Sequence, residues 1–322
     1  VYYRGDCPIK SIKEAAMRHL ILLCLLLIFV IPLAAQDDES PEQIPLNWDG
    51  QSRLTILILG MDRRVDDGDT LAVRTDVVIV ASIDPVAQTI GLLHVPRDVH
   101  FAPPDTENFN RVNTLFQDGE AIQEGYGAYW IMDTLQYNLG IYIDRYVLFD
   151  FRAFMAVIDA MGGVTITTGY PIRDNTSPDL NYGYDPFYLP AGTHDLDGYQ
   201  ALQFVRTRHQ DTDMERGERQ LQLLQAIHTQ MTETETFTRM LRQAPNLFTQ
   251  LQGNIYTDLT VDDALLLTRY AILVPGERIK TGTMDARYLL LYPVEGNRRA
   301  YMPDRDVITE LMIAVFGENY AE

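Results

Sequence analysis

Three short apolar runs rich in β-branched residues follow one another between residues 54 and 95: LTILIL, DVVIVASI and TIGLLHV. Gly60, Asp84-Pro85 and Pro96 bound them, so each predicts a strand. The four residues 85–88 suit an antiparallel hairpin between the second and third strands. Residues 127–139 predict a helix with Tyr129, Met132 and Leu135 or Gln136 near one face, stopped by Gly140. A short strand at 145–149, a helix at 151–161 closed by Gly162-Gly163, and a strand at 164–168 follow. Residues 170–195 hold four prolines and four tyrosines and predict a long loop, a kind that is uncommon unless functional. Helices are expected at 196–204, 213–232, 259–274 and 304–316, with a strand at 278–283. Alternating strands and helices without an internal repeat predict a layered α/β domain with a mixed sheet.

The N-terminal pattern differs. Residues 20–35 (LILLCLLLIFVIPLAA) form an almost unbroken apolar run, preceded by Lys10, Lys13 and Arg18 and followed by Asp37, Asp38 and Glu39. Basic before and acidic after predicts an N-in, C-out segment. Residues 17–35 read as a signal peptide or membrane anchor, with translation expected to start at Met17 and residues 1–16 an over-extended start. Residues 36–52 read as a linker. The rest of the chain is then expected to work outside the cytoplasm, beside the cytoplasmic membrane.

Composition narrows the function. The 322-residue chain has 26 Lys+Arg against 45 Asp+Glu, a formal net charge of −19, which argues against a broad nucleic-acid surface. Both cysteines, Cys7 and Cys24, precede the domain, so it forms neither disulfide nor thiolate metal site. No P-loop, dinucleotide-binding glycine motif, nucleophile elbow or zinc-protease motif is present. His94, His100, His194, His209 and His228 show no ligand spacing.

Beyond residue 35 Lys280 is the sole lysine, and the arginines gather in short motifs: Asp62-Arg63-Arg64, Arg74-Thr75-Asp76, Pro96-Arg97-Asp98, Arg206-Thr207-Arg208 and Arg216 with Arg219. Guanidinium groups bind phosphate oxygens bidentately. Codon bias explains the number of arginines but not their positions. An antiparallel β-hairpin order would bring Asp62, Asp76, Arg97 and Asp98 to one sheet rim, where two aspartates could hold Mg²⁺ together with phosphate oxygens. Surface salt bridges would use the same residues. Along 213–227, Asp213, Arg216, Gly217 and Gln220 share one helix face that Leu223, Leu224 and Ile227 continue. A polar head bound at the helix start, with a lipid lying along the rest, explains this change of character, and Gly217 would let a ligand approach the backbone. Ordinary core leucines behind a solvated first turn explain it too.

These motifs, ILILGMDRR, RTD, HVPRD, NRVN, MGGV, LDGYQALQFVRTR and DMERGERQ, stand in the order found in the LytR–CpsA–Psr family, which the chain resembles from about residue 53 to 232. The resemblance implies a three-layer α-β-α sandwich with a mixed sheet: one catalytic domain over 53–232, and a C-terminal helical extension over 233–322 packed on it. It implies an enzyme moving a glycopolymer from an undecaprenyl-pyrophosphate carrier to peptidoglycan, with Mg²⁺. By motif, Asp62 and Asp76 would hold the metal. Arg97, Arg206, Arg208, Arg216 and Gln220 would bind the pyrophosphate, with Arg74 and Arg111 beside them. Leu223, Leu224 and Ile227 would line the lipid path. Arg74 opens a motif usually written R-S-D-T, here RTDV, and a lysine is common where Arg111 stands. Asp98 or an aspartate of the metal pair is the candidate base. A pyrophosphatase using water as acceptor, and a non-catalytic lipid-pyrophosphate binder or transcriptional attenuator, are the competing readings.

Overall fold

The computed structural model describes residues 48–321 except 64–69, 72, 107, 208–212 and 295–297. The expected export segment and most of the expected linker lie outside the described residues. Along the chain come β1 (Leu54–Met61), β2 (Thr75–Asp84), β3 (Thr89–His94), β4 (His100–Phe101), β5 (Asn110–Arg111), α1 (Val112–Ile122) and α2 (Gly127–Leu139). Next are β6 (Arg145–Phe149), α3 (Phe151–Met161), β7 (Val164–Thr168), β8 (Ile172–Asp174), β9 (Phe187–Leu189) and β10 (Gly192–Leu196). The rest is α4 (Gly198–Arg206), α5 (Asp213–Met231), α6 (Thr234–Leu251), β11 (Ile255–Thr257), α7 (Val261–Leu273), β12 (Ile279–Thr283), β13 (Leu289–Val294), β14 (Arg298–Pro303) and α8 (Ile308–Phe316).

The main sheet has the order β11-β6-β1-β2-β3-β12. β1 pairs antiparallel with β2, and β2 with β3 through the expected hairpin. β6 lies parallel to β1, and β12 parallel to β3. Residues beyond 232 therefore supply both edge strands, β11 and β12, and complete the sheet. β1 is apolar on both faces because both are covered. Leu57, Leu59 and Met61 pack with Leu115 and Phe116 of α1, Ile131 and Leu135 of α2, and Met312 of α8. Leu54 and Ile56 pack on the opposite side with Leu221 of α5, where Leu266 and Tyr270 of α7 close the layer. A further core joins α3, α4 and α6 to the small strands β7 to β10. The result is an α-β-α sandwich with a mixed sheet.

Several elements differ from expectation. The segment 170–195 is built rather than irregular: β8 pairs with β9, and β10 pairs antiparallel with β7. Leu196 ends β10 opposite Val164, so α4 starts later, with Asp197 as its N-cap in a capping box with Gln200. In α2 the buried face is Ala128, Ile131, Met132, Leu135 and Leu139, while Tyr129 is exposed. Helices α1 and α6 were not anticipated. The buried stripe Phe237, Met240, Ala244, Leu247 and Leu251 of α6 has helical spacing, but Pro245 interrupts the pattern to the eye.

Two glycines are fixed by close approach. Gly162 ends α3 in the left-handed region with φ 86°, and the Arg239 side chain lies where a Cβ would go, donating to Met161 O at 3.0 Å. Gly217 of α5 faces the end of β3: a Cβ there would stand 2.2 Å from His94 Nδ1. The space above Gly217 is thus filled by the His94 ring, which corrects the expectation that a ligand approaches the backbone there. His94 is fully buried, and neither ring nitrogen has a hydrogen-bond partner among the described residues. Burial, with the Arg216 charge second, pushes its imidazole down to about 3.

One buried ion pair ties the layers together. Arg63, directly after Asp62, donates Nη2 to Asp150 Oδ2 at 2.8 Å, Gly253 O at 2.5 Å and Asn254 Oδ1 at 3.1 Å, and Nη1 to Tyr256 OH at 3.3 Å. Asp150 also caps α3 by accepting from Ala153 N at 3.0 Å.

Three outcomes are expected. Arg63→Ala leaves Asp150 buried and unpaired and should lower unfolding free energy by about 3–5 kcal/mol in chemical denaturation. Gly217→Ala should destabilise by driving a methyl into the His94 ring, and adding His94→Ala should restore part of that loss. Denaturation of the two singles and the double tests the coupling. Because the folded His94 binds its proton only near pH 3, and the unfolded one at about 6.5, its contribution is complete above pH 6.5 and is lost as pH falls toward 3. His94→Leu should flatten the stability curve over that window by up to about 1.4 kcal/mol per pH unit.

Candidate active site

The polar rim forms where β1 ends, β2 begins and β3 turns away. Asp62 follows β1, and its N–H donates to Arg74 O at 3.0 Å, closing the neck of the loop between them. Asp76 is the second residue of β2. Its Oδ2 accepts from Arg97 Nη1 at 2.6 Å and its Oδ1 from Asn113 Nδ2 at 2.9 Å, so this carboxylate is held from two sides. Arg97 Nε also lies 3.6 Å from Asp98 Oδ2.

Helices bring the remaining charges. Arg206, in the last turn of α4, has its Nη2 3.8 Å from Asp62 Oδ1. Its guanidinium stacks 4.2 Å from the Phe151 ring centroid and donates Nη1 to Pro178 O at 3.3 Å. Arg216 lies in the first turns of α5 at 2% exposure. Gln220, one turn further, donates Nε2 to Val205 O at 3.5 Å. The junction between α4 and α5 is pinned by Arg219, which is buried and donates to Phe204 O at 3.0 Å and Thr207 O at 2.6 Å. These carbonyls at a helix end would otherwise lack partners. Thr207 in turn donates to Asp174 Oδ2 at 2.6 Å.

Asp62, Asp76, Arg97, Arg206, Arg216 and Gln220 all line one cavity of about 640 Å³. Beyond this polar end its walls are apolar: Ile58, Val77 and Ile79 from the sheet, Phe154, Val157 and Ile158 from α3, and Leu251 and Ile255 further in. Leu223, Leu224 and Ile227 of α5 complete them. The two readings of the α5 stripe therefore merge: these residues belong to the core, and the core is hollow beside them. A chamber of this size with charge at one end and hydrocarbon along its length fits an amphiphile with an anionic head.

Among the described residues no three carboxylate, histidine or cysteine groups form a metal cluster. The donor set at the rim is two carboxylates, Asp62 and Asp76, facing arginines. That fits Mg²⁺, which commonly takes one or two carboxylates and fills its remaining positions from phosphate oxygens and water.

Not every expected residue joins the cavity. Arg74 is exposed and outside its lining, and Arg111 pairs with Asp98 at 3.2 Å, also outside it. Arg208 lies outside the described residues, as does the side chain of Asp213. Sequence reasoning missed Asn113, although the NRVN motif contains it, and Asp174, Thr176 and Pro178, which reach the cavity mouth from the segment read as a loop. It also missed the division of labour in Asp62-Arg63, where one residue lines the cavity and the next is a buried clamp.

A protein-family comparison matches the LytR_cpsA_psr family over residues 33–311. The chain is 31% identical over 259 residues to the polyisoprenyl-teichoic acid–peptidoglycan teichoic acid transferase TagU of Oceanobacillus iheyensis, covering 79% of this chain and 73% of that one. It is 26% identical over 254 residues to TagV of Bacillus subtilis, covering 78% and 60%. The fold matches the crystal structure of B. subtilis TagV with a TM-score of 0.63 at 23% identity, covering 81% of this chain and 94% of that chain. TagT bound to LIIa-WTA matches at 0.61 and 22%, covering 86% and 94%. With its motifs, its sheet and most of its length in agreement, the chain belongs to the LytR–CpsA–Psr family.

Proposed function

We propose that this protein is a glycopolymer phosphotransferase of the cell envelope, taking its polymer from a polyprenyl-pyrophosphate carrier such as undecaprenyl pyrophosphate and joining it to peptidoglycan. The observation that carries this reading is a cavity with arginines and aspartates at one end and an apolar interior. Relatives named as teichoic acid transferases support it. The apolar run at residues 20–35 supports work outside the cytoplasmic membrane, by cleaved signal or anchor.

The polyprenyl chain occupies the apolar chamber against Leu223, Leu224 and Ile227, leaving the pyrophosphate at the rim. Arg97, Arg206 and Arg216 bind its oxygens, and Gln220 supplies an uncharged amide. An acceptor sugar hydroxyl attacks the sugar-proximal phosphorus. A new P–O bond to the acceptor forms, the bond to the bridging oxygen breaks, and polyprenyl phosphate leaves. The acceptor's proton passes to a rim carboxylate. Charge building on the bridging oxygen is met by fixed guanidinium groups beside the apolar chamber, the kind of preorganised electrostatic stabilisation that dominates such catalysis. Mg²⁺ held by Asp62 and Asp76 would add neutralisation of the phosphate oxygens.

Arg216→Ala should cut transfer by about 10- to 100-fold, the worth of one or two charge-assisted hydrogen bonds. The assay is transfer of polymer from lipid-pyrophosphate glycan to peptidoglycan, run with and without acceptor so that hydrolysis is scored separately. Asp62→Asn should abolish the response of the same assay to added Mg²⁺, and a wild-type Mg²⁺ titration would remove Asp62 from the metal. Leu224→Gln should make long and short polyprenyl chains equally good substrates. An equal loss with every chain length, matched by a lower Tm, would assign Leu224 to packing alone.

A further inference from the structure

The segment between β8 and β9 stands at the cavity mouth. Thr176 and Pro178 line the cavity, and Pro178 O accepts from Arg206, whose other terminal nitrogen faces Asp62. Pro178 also forms an isolated antiparallel bridge with Tyr184. Tyr184 is 71% exposed and Tyr182 60%, large aromatic rings turned to solvent next to the charged rim. The segment is braced. Asp179 Oδ1 accepts from Asn181 N and Gly183 N, both at 2.7 Å, and Asp185 N donates to Ser177 O at 2.8 Å. Asp185 is bound in turn by Tyr199 OH at 3.0 Å and by Gln203 Nε2, whose helix also carries Arg206. Tyr182 holds a φ of 64°, a conformation that non-glycine residues adopt rarely and at a cost that its surroundings must offset.

A braced lip that holds Tyr184 71% exposed beside the charged rim offers an aromatic face to a ligand seated there. We infer that Tyr184, with Tyr182 beside it, forms a pyranose-binding lip that stacks the first sugar of the donor as it leaves the pyrophosphate. The inference rests on the proposed function, because the sugar's place is set by a pyrophosphate on Arg206. Donor rather than acceptor follows from adjacency: Tyr184 is bridged to the residue whose carbonyl Arg206 holds, and the first pyranose is covalently joined to the phosphate at that arginine. Sugars present C–H faces to aromatic rings and hydroxyls to nearby carboxylates and carbonyls, and this lip offers both kinds of group. A prebraced surface also loses little conformational freedom on binding.

The test compares two probes, a polyprenyl pyrophosphate and the same lipid carrying one pyranose, binding to wild-type protein, Tyr184→Ala, Tyr182→Ala and Tyr184→Phe. Wild type should bind the sugar-bearing lipid about 3- to 10-fold more tightly than the bare one, the range of one aromatic stacking contact. Tyr184→Ala should erase that difference and leave bare-lipid affinity unchanged, Tyr182→Ala should reduce it, and Tyr184→Phe should keep it. An undiminished difference in Tyr184→Ala overturns the lip, and so does equal weakening toward both probes. A change confined to the KM for peptidoglycan in the transfer assay overturns the assignment to the donor. Wild-type protein that binds neither probe would instead bring down the proposed function on which the lip depends.

Discussion

Arg63 and Asp150 hold the site in shape. The pair joins the second residue after β1 to the N-cap of α3 and, through Gly253 and Asn254, to the turn before β11. Removing two charges from water costs several kcal/mol each, and the cost is met only when the remaining hydrogen bonds are also satisfied. Here the guanidinium has four partners and the carboxylate also caps a helix. Arg63 is buried in this clamp while Asp62, its chain neighbour, lines the cavity. The acidic rim is therefore only as well placed as the clamp behind it.

The same economy of neighbours runs through α4 and α5. Arg219 ties the end of α4 to α5 and so locates Arg206, while Gly217 lets β3 approach α5 through His94 and so locates Arg216. Arg206 and Arg216 are thus each placed by a buried contact at the α4–α5 junction or at β3.

What was legible in the sequence followed from periodicity and from motif order. The β2–β3 hairpin, the shared rim of Asp62, Asp76 and Arg97, and the placing of Arg216, Gln220, Leu223, Leu224 and Ile227 on one side of α5 were legible because strand and helical spacing are local, whereas the His94 ring over Gly217 was not. Arg74 and Arg111 do not line the cavity, since a motif names a neighbourhood without giving side-chain direction. The ribbon between 170 and 195 was hidden because its strands are three to five residues long and its turn residues dominate composition. Asp174 and Pro178 reach the cavity only through that ribbon. The edge strands β11 and β12 pair with partners far away in sequence, a contact no local pattern carries.

That last pairing has a consequence for how the molecule comes into being. β1, β2 and β3 leave the ribosome early, and β6 soon after, yet the strands that flank them arrive only at residues 255 and 279. Until then β6 and β3 present open, apolar edges to any other chain, the arrangement most prone to intermolecular pairing. Closing the sheet requires long loops to be ordered first, so assembly is slow for a domain of this size. A nascent or truncated chain that stops short of β12 would thus be an aggregation template, and its escape from that fate depends on the speed with which its last third is delivered.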